Sequence, residues 1–271
     1  MTPALFKDTL RTMARTMSRF LSIFAIVALG VGFFAGVRAT GSDMRLTADL
    51  YYDRTQLADA HVLSTMGLTQ GDVEAAAAIP GVSGVMPALY VDLLTLSGEN
   101  FTTRVISLPD LDPDDPNYLN QLSLVEGRLP TAPDECVLDS AAAQEFGFSI
   151  GRVITFAAGS SDQNLDDWLS RKSYTVVGIA ESPLYIDMTR RGSTTIGNGT
   201  LSAFVYIPQE NFVTDYYTDL YITCGPALPL AAYSEEYDAQ VGLLLEELEA
   251  LEEVRAPARL EEVRADAQAE I

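Results

Sequence analysis

"KDTLRTMARTMSRFLSIFAIVALGVGFFAGVRA", residues 7–39, sets a basic side chain at every fourth position and then runs into a long apolar stretch. Lys7, Arg11, Arg15 and Arg19 share one helical face, because residues four apart lie one turn above another. Leu5, Phe6, Leu10, Met13 and Met17 supply an apolar face, so residues 1–19 read as an amphipathic helix lying at the cytoplasmic membrane interface. Phe20 to Val37 carries no charge. As a helix it is about 27 Å long, close to a hydrocarbon core of about 30 Å. Residues 20–38 are therefore assigned as a transmembrane helix, and the basic residues before it put the N-terminus in the cytoplasm and the main domain outside.

A cleavable secretory signal competes with this reading, because Val37-Arg38-Ala39 loosely meets the small-x-small rule. The long basic region, the extended apolar run and Arg38 beside the cut favour a retained span. Within it, Ala28, Gly32 and Gly36 form a small-xxx-small ridge, the kind of face that lets a second helix approach closely.

The chain has 271 residues, room for one large or two small domains, and a formal charge of −21. Before Ser42 the only acid is Asp8, so the acid is concentrated in the rest of the chain. An acidic body repels phosphate and argues against a nucleic-acid partner, whereas the basic head suits an anionic membrane face and its lipids. Cys136 and Cys224 are the only cysteines and His61 the only histidine, which leaves no zinc-ligand spacing and no metal or cofactor expectation. A Cys136–Cys224 disulfide and two buried free thiols are both open readings.

After a short linker, residues 50–230 read as the extracytoplasmic domain. His61–Met66 is a short strand; Thr69, with Asp72 three residues on, caps a helix that Pro80-Gly81 stops. Val82–Leu96 and Phe101–Leu108 are β-rich runs around a Ser97–Asn100 turn, giving a βαββ unit. "PDLDPDDPN", residues 109–117, alternates aspartates like a calcium loop, but Asp115 stands where glycine is needed and Gln121 where glutamate is needed, so it reads as a proline-stiffened linker. Beyond it, residues 122–156 read as a turn, a strand at Glu135–Leu138, a helix at Ser140–Phe146 and a strand at Arg152–Phe156. Further strands are expected at Tyr174–Ala180, Ala203–Ile207 and Asp219–Cys224, with "RRGSTTIGNGT", residues 190–200, a flexible surface loop. Residues 231–271 form an amphipathic helix in which Val241, Leu244, Leu248 and Leu251 follow 3-4-3 spacing. That pattern suits the start of a coiled coil or a helix packed on the body. It reaches Ile271 without a stop signal, which reads as truncation.

"IPGVSGVMP" (79–87), "EGRLP" (126–130), "DECVLD" (134–139), "FGFSIGRVITF" (146–156) and "YTVVGIAESPLYI" (174–186), behind the basic pre-helix and span, together resemble the FtsX-like, MacB-type permeases of ABC transporters. Glu126, Gly127, Arg128 and Gly178 are the motif positions. The resemblance implies an α+β extracytoplasmic core of two lobes, one of βα units and one mainly β. It also implies four spans per permease, a dimeric assembly and a separate ATPase subunit. The chain departs from that pattern in having one span, and it has no Walker A motif. Implied partners are an ABC ATPase, further transmembrane helices or a second permease copy, and an extracytoplasmic protein or cell-wall enzyme. Hydrolase signatures are missing from the sequence, so a non-catalytic transport or force-transmitting subunit is expected. A single-pass membrane-anchored binding or adhesion protein is the rival.

Overall fold

The computed structural model describes residues 3–96, 100–187 and 191–269. It divides into two units, Met1–Leu50 and Tyr51–Ile271.

The first unit is helical. Helix α1 (Pro3–Arg15) is followed after Thr16 by α2 (Met17–Thr55), whose last turn belongs to the second unit. Residues 39–49, expected as linker, are helix instead. No proline stands between Pro3 and Pro80, and the polar side chains in this stretch bond back into the helix. Thr40 donates to the Gly36 carbonyl at 2.8 Å and Thr47 to the Asp43 carbonyl at 2.8 Å. α2 ends in a Schellman-type cap: Leu57 N–H donates to the Tyr52 carbonyl and Gln56 N–H to that of Asp53. Gln56 takes φ 48°, a left-handed conformation usually left to glycine. It is held there because Asn120 N–H donates to its carbonyl at 2.9 Å and Gln121 N–H to that of Thr55 at 2.7 Å.

The second unit has two lobes. Its strands are β1 (Ala60–Leu68), β2 (Val82–Ala88), β3 (Tyr90–Leu96), β4 (Phe101–Leu108) and β5 (Ser123–Gly127). They continue as β6 (Glu135–Asp139), β7 (Val153–Ala157), β8 (Ser173–Glu181), β9 (Ala203–Pro208) and β10 (Tyr217–Cys224). Helices α3 (Gln70–Ala77), α4 (Ser140–Phe146) and α5 (Glu235–Ala269) complete it.

The first lobe is an antiparallel sheet in the order β1-β10-β2, packed with α3 and α5. Alternation along β10 sets its faces. Leu220, Ile222 and Cys224 join Ile79, Val85 and Leu244 in one core, whereas Tyr221 faces the other lobe. Asp72 reaches back to the Thr69 N–H at 2.7 Å, as the capping pattern expects.

The βαββ unit is corrected. β2 stays in this sheet, while β3 and β4 join the other. Leu89 marks the crossing: its N–H donates to Ser107 Oγ at 2.9 Å and its carbonyl accepts the Ser107 N–H at 2.8 Å. The turn expected at 97–100 lies outside the described residues except Asn100.

The second lobe orders its strands β5-β8-β6-β9-β4-β3-β7, and β7 also pairs with β8. That extra ladder closes β8, β6, β9, β4, β3 and β7 into a barrel, with β5 flanking it. Leu93, Val105, Leu138, Phe156, Val205 and Ile207 share its core. Alternate residues of β9, Phe204 and Tyr206, pack instead with Ile106 and Tyr221 toward the first lobe. A strand buried on both faces explains the unbroken apolar run "AFVYI". The expected α+β class, with one βα lobe and one mainly β lobe, is observed.

Two further expectations change. Ser123–Gly127, read as a turn, is strand β5. The loop at 190–200, read as a flexible surface segment, is anchored inward by Arg191 and Ile196, which are 7% and 8% exposed; Arg190 lies outside the described residues. Cys136 and Cys224 are free and buried in different lobes. α5 runs unbroken through Pro257. Side chains flanking the proline fasten it: Arg255 Nε donates to Asp72 Oδ1 at 2.6 Å, and Arg259 to the Met66 carbonyl at 3.3 Å. Its Val241–Leu251 seam packs on the first lobe's core.

Candidate functional site

Lys7, Arg11 and Arg15 lie on α1 and Arg19 in the first turn of α2, all exposed. The side chains of Leu5, Leu10 and Met13 lie outside the description, so the apolar face is seen at Phe6 and Met17, both exposed. The apolar residues of α2 face outward; Phe33 is 76% exposed and Leu29 73%. A helix this long with so much uncovered apolar surface is suited to lipid rather than water. Along it, nothing stands within 4 Å of where a Cβ would project from Gly32 or Gly36. The ridge with Ala28 is open in this chain.

The four motif positions meet at one edge of the second lobe. Gly127 and Gly178 are register partners on β5 and β8, and Glu126 pairs with Ile179. Gly127 takes φ 81°; a Cβ there would strike the Val177 carbonyl, and one on Gly178 would strike the Arg128 carbonyl. Arg128 turns the chain toward β6 and grips Glu135 with both arms, Nη1 to Oε2 at 2.7 Å and Nη2 to Oε1 at 2.5 Å. Glu135 Oε2 also accepts the Thr131 and Ala132 N–H groups. The Arg128 hydrogen bonds, aided by those amides, pull the Glu135 carboxyl down to about 2. "EGRLP…DE" is thus a closed loop, and its chemistry is architectural.

The same stretch ends at Asp139, which is 1% exposed. Its Oδ1 accepts the Ala141 N–H, capping α4, and Arg191 binds both oxygens at 2.7 and 2.9 Å. Arg191 Nη1 also donates to the carbonyls of Asp187 and Tyr185. The loop carrying Tyr185 is therefore pinned to the barrel.

Between the lobes lies a cleft of about 260 Å³. His61 and Tyr221, cross-strand neighbours on β1 and β10, stack with centroids 4.5 Å apart. His61 Nε2 lies 2.6 Å from Asp219 Oδ1, a diagonal contact. From the barrel, the cross-strand pair Asp92 and Arg104 forms a fork at 2.7 and 2.9 Å, and the Arg104 guanidinium covers Tyr90 at 4.1 Å. Burial opposes the Arg104 charge, but Asp92 outweighs it and holds the group more firmly protonated than usual. Tyr185, stacked on Phe204 at 4.9 Å, is pushed up to about 12 by burial. Sequence reading noted His61 as unique but did not find this cleft, because its walls come from distant segments, Asp219 standing 158 positions from His61.

An exposed apolar helix leading into a folded two-lobed domain is the layout of a membrane-anchored domain. A family model for the MacB-like periplasmic core domain matches residues 20–265. The chain belongs to that family, and with it to the FtsX/MacB-like permeases of ABC transporters. Three solved structures are similar to parts of the chain. The extracellular domain of the noncanonic ABC-type transporter YknZ from Gram-positive bacteria is 11% identical, with a TM-score of 0.38, over 69% of this chain and 87% of that one. The periplasmic region of MacB from Actinobacillus actinomycetemcomitans is 14% identical, TM-score 0.37, over 70% and 75%. A domain of a putative permease from Porphyromonas gingivalis is 13% identical, TM-score 0.33, over 59% and 63%. No curated protein matches the sequence.

Proposed function

We propose that the chain is a non-catalytic permease subunit that couples ATP hydrolysis by a separate ATPase to efflux or to force transmission outside the membrane. The observation that carries this reading is the family match, which starts inside the apolar helix and continues through the core domain as one segment. Lys7, Arg11, Arg15 and Arg19 then face the cytoplasmic ATPase and anionic lipid headgroups, with the N-terminus inside. Ala28, Gly32 and Gly36 receive another transmembrane helix, from this permease or a second copy. The outer domain and α5 engage cargo, an extracytoplasmic protein or a cell-wall enzyme. The test is co-purification from detergent with the candidate ATPase. Arg11→Glu with Arg15→Glu should cut recovery severalfold while the outer domain stays folded; unchanged recovery refutes the docking role.

A further inference from the structure

The first lobe leaves one strand edge open. β1 is the end strand of its sheet, and among the described residues no strand pairs with its outer edge. A groove of about 450 Å³ runs between β1, along its whole length, and α5. The buried Ala60, Ala76 and Leu220 lie at its base, and Leu245, Leu248 and Leu251 form its helical wall. Side chains meet backbone groups of β1 that have no ladder. Met66 N–H donates to Ser64 Oγ at 3.2 Å, and the Met66 carbonyl accepts from Arg259 at 3.3 Å. A strand edge presents a row of N–H and C=O groups, so the ligand shape that fits such a groove is an extended backbone. Leu63 and Leu245, 61% and 44% exposed, leave the groove open to solvent, so a partner's segment can enter.

The topology gives the direction of that segment. β1 and β2 are both antiparallel to β10 and therefore parallel to each other, with α3 connecting them and β10 inserted between. This is a split βαβ unit. β10 followed by α5 repeats its first two parts on the same face of the sheet: Ala76 of α3 and Leu244 of α5 share one core with Ile222. A strand parallel to β10, with β1 between them, completes the second unit. Its place is the groove, and it runs antiparallel to β1.

Charge selects the side chains. Arg255 and Arg259 line the groove, but each is paired with a carboxylate, Asp72 and Glu262 respectively. His61 lies against Asp219. Glu249 and Glu252, exposed on the helical wall, pair with no cation among the described residues. Two unmatched negative charges favour a basic segment over an acidic one.

We infer that the groove between β1 and α5 takes up an extended segment of a partner protein, antiparallel to β1, apolar toward Leu245 and Leu248 and basic beside Glu249 and Glu252. This goes beyond the transport reading and does not rest on it, because strand addition needs neither ATPase nor membrane movement.

The test is fluorescence anisotropy with the full chain in phosphatidylcholine nanodiscs, empty nanodiscs serving as the blank. The probe is a labelled peptide as long as β1 in which valine alternates with lysine and threonine. It should bind saturably, and glutamate in place of its lysines should weaken binding about fivefold. Glu249→Lys with Glu252→Lys, both at exposed positions, should reverse that preference. Only every second N–H of an added strand faces β1. N-methylation of alternate amides should therefore weaken binding at least about tenfold in one phase and be tolerated in the other. A photo-crosslinker on the peptide's N-terminus should label the Leu68 end of β1, and one on its C-terminus the Ala60 end. No saturable binding, indifference to N-methylation in both phases, equal affinity for the glutamate peptide, or crosslinks in the reverse order overturns the assignment. So does a concentration-dependent dimer that the peptide dissolves, which gives the groove to a second copy.

Discussion

Gly127 and Gly178 face each other in register on β5 and β8, and the backbone around each fills the space a side chain would need. At Gly127 the left-handed φ of 81° adds a second obstacle. Gly127→Ala and Gly178→Ala should each destabilise the domain by about 2–3 kcal/mol, from overpacking and, at Gly127, backbone strain. Thermal unfolding checks this, with a fall in Tm of roughly 5–10 °C for a domain of this size. A shift under 2 °C for either variant contradicts the close approach.

Glu135 gives the loop a pH signature. Its folded-state pKa of about 2, set chiefly by Arg128, lies below the value of about 4.3 expected for an unfolded chain. The contribution is therefore fully present above about pH 4.3 and is lost as pH falls toward 2. Glu135→Gln should flatten the stability curve over that window and leave its slope near neutrality unchanged. An unaltered acid limb in chemical denaturation would show that the pair contributes nothing.

Arg191 should be far less tolerant of truncation than the exposed basic residues. Arg191→Ala leaves the Asp139 carboxylate buried without its counter-charge, at a cost of about 3–5 kcal/mol. Arg191→Lys keeps the charge but not the fork and should recover only part of that loss. Paired denaturation curves are the check.

Leu244 and Leu243 are neighbours on α5 with opposite exposures, 5% and 57%. Leu244→Ala should cost about 2–5 kcal/mol. Leu243→Ala should stay within about 0.5 kcal/mol. If the two variants unfold alike, α5 is not docked through this seam.

In α2, Gly32→Leu with Gly36→Leu should leave the outer domain's unfolding unchanged, because both positions are open. Association of the helix with its partner should drop, read by crosslinking or energy transfer in bilayers. Undiminished association would place the contact on another face.

Local pattern was enough to find most strands and both short helices. "DECVLDSAAAQEF" reads as strand then helix because Asp139 and the small residues after it form a cap and a helical face. What pattern cannot carry is pairing between distant segments. Tyr217–Cys224 is plainly a strand, yet nothing local says that it leaves its barrel neighbours and enters the first lobe. The same holds for sites. Gly127 and Gly178 were singled out by family motif, but their facing each other across a ladder is a property of register. Arg191 sat in a Gly/Ser/Thr-rich loop whose composition hides a buried ion pair. The cleft was invisible because Tyr185, Tyr221 and Asp219 look like ordinary strand and turn residues until His61 is brought alongside.

β10 lies between β1 and β2, which make no direct ladder with each other. Ala60 pairs with Ile222 and Val85 with the same residue from the other side. A chain exported from its N-terminal end therefore delivers both outer strands of the first lobe long before the strand that joins them. Until residue 224 has emerged, β1 and β2 each expose an open edge, and closing that gap brings the entropy cost of a very long loop. The first lobe is thus the last to be finished although its chain is made first. During biogenesis it depends on the barrel's completion, or on a chaperone shielding those edges.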